Sequence, residues 1–315
     1  EAQYQALMTN GVAFAQAHDI RPGISLSETQ MAALTTDIVW LEEQSVTLAD
    51  GSSQQVLVPR VYTVVEPDTL LHSGALLSGH TVDITADQVS NSAAVMAQTD
   101  VSIQTDTLSD TGGRLQADNA TVTANTDIQL AGSQWQVDDT LALTANRDIT
   151  INSTTETRHT NATSRTTLVH QADIGAGRSG NGELQISAGR NASIQGANLT
   201  NSGTGDTTIT AGNDLTVGAV TETMRLNRDG VTASTQTVTT SQLSTGGSLN
   251  LQAGNALTLT GTQVDAQRNI TLQGDSVTLT TAESTLDTQV SQPGKRSIDQ
   301  RLSHQGVTLN AGEDI

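Results

Sequence analysis

One phrase, restated at intervals, constrains the fold of this chain more than any other feature. It is a strand-like run, then Ala with Gly or Asn, then an acidic or amide residue, then a second strand-like run. It occupies Thr121–Ile128, Leu141–Ile149, Leu184–Ala192, Thr208–Leu215, Leu249–Leu257 and Val307–Ile315. The shared alanines, Ala124, Ala145, Ala188, Ala211, Ala253 and Ala311, stand 21, 43, 23, 42 and 58 residues apart. These gaps approximate multiples of a unit of roughly 20 to 23 residues. One missed beat is visible, because Ile270–Val277 repeats Leu249–Ala256. A unit this short cannot bury its own apolar face, but stacked on its neighbours it can.

Leu141, Leu143, Ile149 and Ile151 alternate with polar residues, the period of a strand with one face turned inward. The expected fold is all-β: a right-handed parallel β-helix, or solenoid, with a small mixed α/β N-terminal module and protruding hairpin excursions. At most about eleven turns and near 50 Å of rod follow from the inter-strand spacing. Composition agrees: 35% hydrophobic with only 2% aromatic residues suits a narrow coil filled by Val, Ile, Leu and Ala better than a globular core. A net charge of −19 with low hydrophobicity also fits disorder, but disordered tracts have no reason to alternate.

The acidic balance opposes nucleic acid or an anionic membrane surface as partner, since 14 scattered Lys and Arg supply no basic cluster of the size either needs. The absence of cysteine removes a disulfide-stapled module from consideration. No run approaches the length of a membrane span. The chain closes on the first half of its own phrase, so a segment cut at both ends from a longer polypeptide is expected.

Residues 1–70 lack the repeat and are expected to form a capping or linking module, with residues 71–315 as the solenoid. Tyr4, Leu7, Met8, Gly11, Val12 and Ala15 have helical spacing, and Ser27 with Gln30 reads as a capping box before a second helix through Met31 and Leu34. Ile38–Leu41, Ser45–Leu48 and Gln55–Val58 read as strands. The last two form a hairpin about Asp50 and Gly51 that Pro59 and Pro67 leave, with Trp40 and Tyr62 as the main large side chains.

A longer period also runs through the solenoid. Thr155-Glu156, Thr221-Glu222 and Ala282-Glu283 each follow a strong repeat and open a stretch richer in Arg, His and Gly, over residues 156–182, 222–247 and 283–305. Every third turn or so is thus expected to extrude an excursion, and insertions in a solenoid collect on one face. Arg158, His159, Arg165, Arg178, Arg225, Arg228, Lys295, Arg296 and Arg301 make that face the locally basic surface of an acidic rod and the candidate contact face. The plain alternative is a set of mobile hairpins with no partner.

The Leu-x-Leu-x-Ala-Gly-x-Asp-Leu phrase, best seen at 207–217, and the Thr-Glu-Thr-x-Arg/His signature at 155–159 and 221–225 resemble the haemagglutinin repeats of two-partner secretion exoproteins. These are filamentous haemagglutinin and the CdiA-type contact-dependent growth inhibition toxins. The block Leu34–Leu41, with Asp50-Gly51 and Val56–Tyr62, is similar to one found inside these proteins. The resemblance covers nearly the full chain. It implies a long right-handed β-helix, secretion through an outer-membrane transporter partner and display on a Gram-negative surface. In the toxin branch it implies contact with the outer membrane or a receptor of the target bacterium and help in passing a toxin inward; in the adhesin branch, a shaft that binds host cells. A spacer with no partner is the third reading. A monomeric rod is expected.

Chemistry is sparse. The carboxylates three positions after the repeat alanine, Asp127, Asp148, Asp214 and Asp314, suggest a Ca²⁺ stack, but Asn191 and Ala256 interrupt the register, and an Asp bonded to the backbone of its own turn is the expected role. A polysaccharide lyase or hydrolase needs convergent carboxylates on a strand face, whereas these lie at turns. His18, His72, His80, His159, His170 and His304 show no metal-ligand spacing. No enzyme activity, metal or cofactor is expected.

Overall fold

The computed structural model describes residues 2–18, 20–21, 23, 38–47, 53–62, 75–178, 180–228, 230–292 and 295–315. They fall into two compact units, residues 1–70 and 71–315. In the first, a helix over Ala2–His18 and one antiparallel hairpin, Ile38–Thr47 with Ser53–Tyr62, are described. The stretches 38–41 and 45–48 are therefore one continuous strand rather than two. Phe14, Ala15 and Ile20 pack on buried Ile38 and Trp40, while Val12 is 54% exposed and lies off the packed face. Gly11 lets the helix come close, because a Cβ there would collide with the carbonyl oxygen of Val39. Pro59 lies inside its strand, opposite Leu41. The Leu41 carbonyl faces the other way, to the amide of Gly23 at 2.9 Å, so this is a non-hydrogen-bonded pair and the proline costs the ladder no donor. The second helix expected around Ser27–Leu34, the turn at Asp50-Gly51, Pro67 and the side chain of Tyr62 lie outside the described residues.

The second unit is a parallel β-solenoid with three strand positions per coil. One is a ladder of nine short strands from Leu76–Gly79 to Thr308–Ala311, all parallel. The other two carry the repeat phrase, its first half stacking from Val82 to Ile270 and its second half from Gln88 to Ser276. Ala124, Ala145, Ala188, Ala211 and Ala253 stand in one column. Ala311 does not belong to it; it pairs with Ala266 in the nine-stranded ladder. Equal sequence phrases thus occupy two different sides of the coil, which explains the irregular last gap of 58 residues. The inward residues form one continuous core running from Val82 to Ile270, in which Leu143, Ile151, Leu215 and Leu259 are at most 1% exposed.

Each corner of the coil has its own polar device. At the corner inside the phrase, Asp127, Asp148, Asn191 and Asp214 each accept from the backbone of the next coil rather than their own turn. Asp127 takes the amide of Asp148 at 3.2 Å, Asp148 that of Asn191 at 3.1 Å, and Asp214 that of Ala256 at 3.2 Å. Asp314 stands at a different corner, where its amide donates to Asn269 at 3.0 Å. The third corner is buried: Ser153 Oγ donates to the Gly196 carbonyl at 2.7 Å and accepts from the Ala172 amide, and Ser241 repeats this with Gly218 and Ala197. There Asp110, 1% exposed, accepts from Ser133, from Asn91 at 2.5 Å and from the Gly113 amide at 3.1 Å. Burial nevertheless pushes its carboxyl above the ordinary carboxylate range.

Candidate functional site

Among the described residues three hairpins leave the coil: Thr154–His159 with Thr163–His170, the outer part of Leu215–Arg228 with Val231–Thr240, and Ala282–Gln292 with Lys295–Gln305. They leave from the fourth, sixth and eighth coils, so the interval is two coils and not three. The reason is dimensional. A coil rises by one inter-strand spacing, and a two-stranded hairpin is two spacings wide, about 9.6 Å. Hairpins from alternate coils therefore arrive edge to edge. They pair, Thr163 opposite Leu226 and Val231 opposite Val290, into one six-stranded antiparallel sheet.

From the second coil on, glycine separates the coils that turn inward from those that extrude a hairpin, whereas the first coil turns through Ser92 and Ala93 with neither. At the exit corner the chain has Gly112, Gly132, Gly196 and Gly261 where it turns into the next coil, all with φ between 62° and 66°. At the same corner it has Ser153, Ala219 and Thr281 where it runs out instead. Positive φ is cheap for Gly alone, so a Cβ-bearing residue favours the extended exit. Three of these glycines also sit directly beneath a hairpin base. A Cβ at Gly132 would lie 2.7 Å from His170 Cβ, at Gly196 2.5 Å from Val220 Cγ2, and at Gly261 2.6 Å from Ala282 Cβ. Gly112, with no hairpin above it, has nothing within 4 Å. The sequence reading did not find this code, although its signal is a plain one: Gly alternating with Ser, Ala or Thr at corners that the pairing aligns.

The Thr-Glu signature has a structural role too. The backbone pairing between the first two hairpins stops at Thr166 opposite Thr223. Glu222 continues it with its side chain, accepting from the Leu168 amide at 2.8 Å.

Directly opposed residues share a face, which sorts the nine candidate cations. Arg158, Arg165, Met224, Thr235, Leu286 and Arg301 form one cross-strand row, with Arg228 on that same face. His159 and Arg225 fall in the adjacent row and, with Arg296, occupy the opposite face. Lys295 pairs with Gln292 next to the hairpin turn. Arg178 is elsewhere, in a turn of the coil after Asp173–Ala176. Its charge opposes the burial that raises the Asp173 carboxyl. The excursions accordingly end at His170 and Thr240, not at 182 and 247.

Several of these cations are already matched. Arg158 bonds Glu156 through Nε and a terminal nitrogen, both at 3.1 Å, holding that carboxyl below its usual range, and Arg301 reaches Asp299 at 3.4 Å. The hairpin residues hold seven of the chain's 14 Lys and Arg but six of its 33 Asp and Glu, a net +1 on a chain of −19. The sheet is thus a near-neutral, Thr-rich surface on an acidic coil.

The geometry defines a class: a parallel β-solenoid that carries a sheet of coil-spaced hairpins. The model of the hemagglutinin repeat family matches residues 94–227 and 227–315, and the chain belongs to that family. Among curated proteins it is 29% identical to the Toxin CdiA of Yersinia pestis, 27% to the tRNA nuclease CdiA-2 of Burkholderia pseudomallei (strain 1026b) and 30% to the Deoxyribonuclease CdiA of Dickeya dadantii (strain 3937). Each of these alignments covers 100% of this chain and 10% of the relative. The chain thus spans about a tenth of the length of these relatives, and is a CdiA-type haemagglutinin-repeat region. No solved structure matches it.

Proposed function

We propose that this region is a structural and delivery segment of a large secreted contact-dependent growth inhibition toxin, with the hairpin sheet as the part that touches the envelope of a target bacterium. The full-length protein is exported by an outer-membrane two-partner transporter and displayed on a Gram-negative surface. The region contacts the target's outer membrane or a receptor there and supports translocation of a toxin carried elsewhere. No catalysis is assigned to these residues. The observation that carries the reading is the sheet itself: it gathers half of the chain's cations onto a surface whose strands bury no core of their own, and so is free to meet another surface. The names of the relatives, toxins and nucleases, supply the delivery context.

The test is binding of the fluorescently labelled chain to intact Gram-negative bacteria and to host epithelial cells across a salt series. Saturable binding to bacteria, weakened when Arg158, Arg165, Arg228 and Arg301 are replaced by Gln, is the expected result. Preference for host cells would instead make the region the shaft of a filamentous haemagglutinin adhesin. Binding to neither would leave an inert spacer.

A further inference from the structure

Residues directly opposed in a sheet repel when both carry the same charge, and among the described strand pairs this happens once: Arg158 stands opposite Arg165 across the first hairpin. The Thr160 amide donates to the Thr163 carbonyl at 2.7 Å, so Arg158 and Arg165, two positions further in, form a hydrogen-bonded pair about 5.5 Å apart at Cα. Glu156 accepts from Arg158 with both of its carboxylate oxygens. The Arg165 guanidinium has no hydrogen bond or ion pair among the described residues. We infer that Arg165 and Arg158 bind the phosphate of a phosphorylated sugar whose ring occupies the cleft beside them. The inference rests on the envelope contact proposed above and gives its partner a chemistry.

The cleft lies where the first two hairpins part. Backbone pairing between them ends at Thr166 opposite Thr223. There a space of about 230 Å³ opens, lined by Arg165, Thr167, Glu222, Met224, Thr235 and Thr237. Arg165, Met224 and Thr235 are opposed in one cross-strand row, and Glu222 with Thr237 lies two positions along, so these side chains share a face. Their polar groups are unclaimed. The hydroxyls of Thr167, Thr235 and Thr237 have no hydrogen bond among the described residues. Glu222 gives one oxygen to the Leu168 amide at 2.8 Å and keeps the other. The fork between the second and third hairpins is bridged instead, because Gln236 reaches the Glu283 carbonyl at 3.3 Å.

These groups select a ligand with two unlike ends. Neighbouring guanidinium groups present forked N–H donors to a phosphate and are relieved of their mutual repulsion when it binds. Threonine hydroxyls both donate and accept, and a carboxylate oxygen accepts, which matches the hydroxyls of a sugar ring. Met224, 42% exposed, offers its thioether to the apolar side of that ring. Glu222 sets the direction: its charge repels phosphate, so the phosphate lies at the arginine end and the sugar hydroxyls reach Glu222. A simple anion would use the arginines and ignore the cleft, whereas a neutral sugar would use the cleft and leave the arginines opposed.

The experiment is NMR of the whole chain with its four methionine methyl groups carbon-13 labelled. Met224 lines the cleft, whereas Met8, Met31 and Met96 do not. Titration with glucose 6-phosphate should move the Met224 signal alone, with a dissociation constant on the order of 1 mM for a site open to water. Inorganic phosphate and glucose, each able to use part of the site, should bind at least roughly fivefold more weakly. Arg165→Gln should weaken glucose 6-phosphate roughly tenfold, and Thr235→Val with Thr237→Val should reduce it to the strength of inorganic phosphate. The other three methyl signals show that each variant remains folded. A Met224 signal that does not move would overturn the inference. So would equal binding of inorganic phosphate or of glucose, or an Arg165→Gln chain that binds as before. Because attachment to cells is read separately, a chain that holds cells without moving Met224 leaves the delivery proposal standing. One that holds the sugar phosphate but no cells keeps the site and removes the envelope contact.

Discussion

The coil and the hairpin sheet are built from similar strands and held together by different physics. In the coil, strands between Val82 and Ile270 turn one face onto a continuous core, and removing any large inward side chain there opens a hole. The hairpin sheet has two open faces and no interior. Its row of Arg158, Arg165, Met224, Thr235, Leu286 and Arg301 contains few groups that gain from leaving water, and Met224 remains 42% exposed. What holds it is backbone pairing, contacts such as Thr157 to Thr166 at 2.7 Å, and the spacing the coil imposes. A sheet of this kind would be marginal alone; here the coil supplies its register, so its faces are spared the work of specifying the fold.

That contrast predicts opposite sensitivities to truncation. Leu215→Ala or Ile151→Ala should cost about 2–5 kcal/mol, since both are fully buried and the stacked backbone cannot close over the gap. Met224→Ala or Leu302→Ala, on the sheet, should cost less than about 1 kcal/mol. Chemical denaturation of the variants measures both, and equal losses would mean that the sheet hides a core of its own.

The junction between the two regions comes next in size. Gly196→Ala should cost about 2–4 kcal/mol, because it adds a contact with Val220 and Thr239 to the strain of positive φ. Gly112→Ala, with the same φ and no hairpin overhead, should cost only about 1–2 kcal/mol. Thermal melts of the pair separate the two contributions, and indistinguishable melts would show that the hairpin bases shift freely. Ser241→Ala, at the return of the middle hairpin, removes the acceptor of the Ala197 amide inside a buried corner, while the Gly218 carbonyl keeps the amides of Gly196 and Ser241. The expected cost is about 1–3 kcal/mol, with hydrogen exchange quickening first at the hairpin base.

How far these features could be read in the sequence follows from which of them are local. The repeat phrase is local, and five of its six alanines do stack in a column. The sixth, Ala311, repeats the same letters on another side of the coil, because corners of similar chemistry, Asn269 meeting Asp314 and Asn191 meeting Asp214, recur at more than one place around each turn. The carboxylates read as self-bonded turn residues act instead one coil away, a distinction that requires the stack. The excursions were legible as departures from the repeat. Their two-coil interval and their pairing were not, because the hairpins differ in length and hide the glycine alternation from a fixed-period search. The cations were legible as a cluster, but their division between two faces depends on cross-strand register, and Arg178 depends on where the hairpin ends.

The smallest expected effect is electrostatic and confined to the coil. Hydrogen bonds from Arg147 and Arg190 hold Asp127 and Asp148 below the ordinary carboxylate range. A carboxyl lowered on folding adds stability above its unfolded pKa and loses that stability as pH falls through the folded value. Asp110 has the reverse sign: raised by burial, it favours the folded state most when protonated and gives up that advantage as pH rises through the folded value. Acidification should therefore remove the arginine-linked contribution while Asp110 offsets part of the loss. Arg147→Gln with Arg190→Gln should lower the melting temperature slightly at neutral pH and low salt, because both guanidinium groups are exposed and screened. The difference from the unmodified chain should shrink in high salt and vanish once the carboxyls are protonated. A deficit that persisted at acid pH would mean that the arginine stems contribute by packing along the coil, and the ladder would then owe its strength to the Asp-to-amide bonds alone.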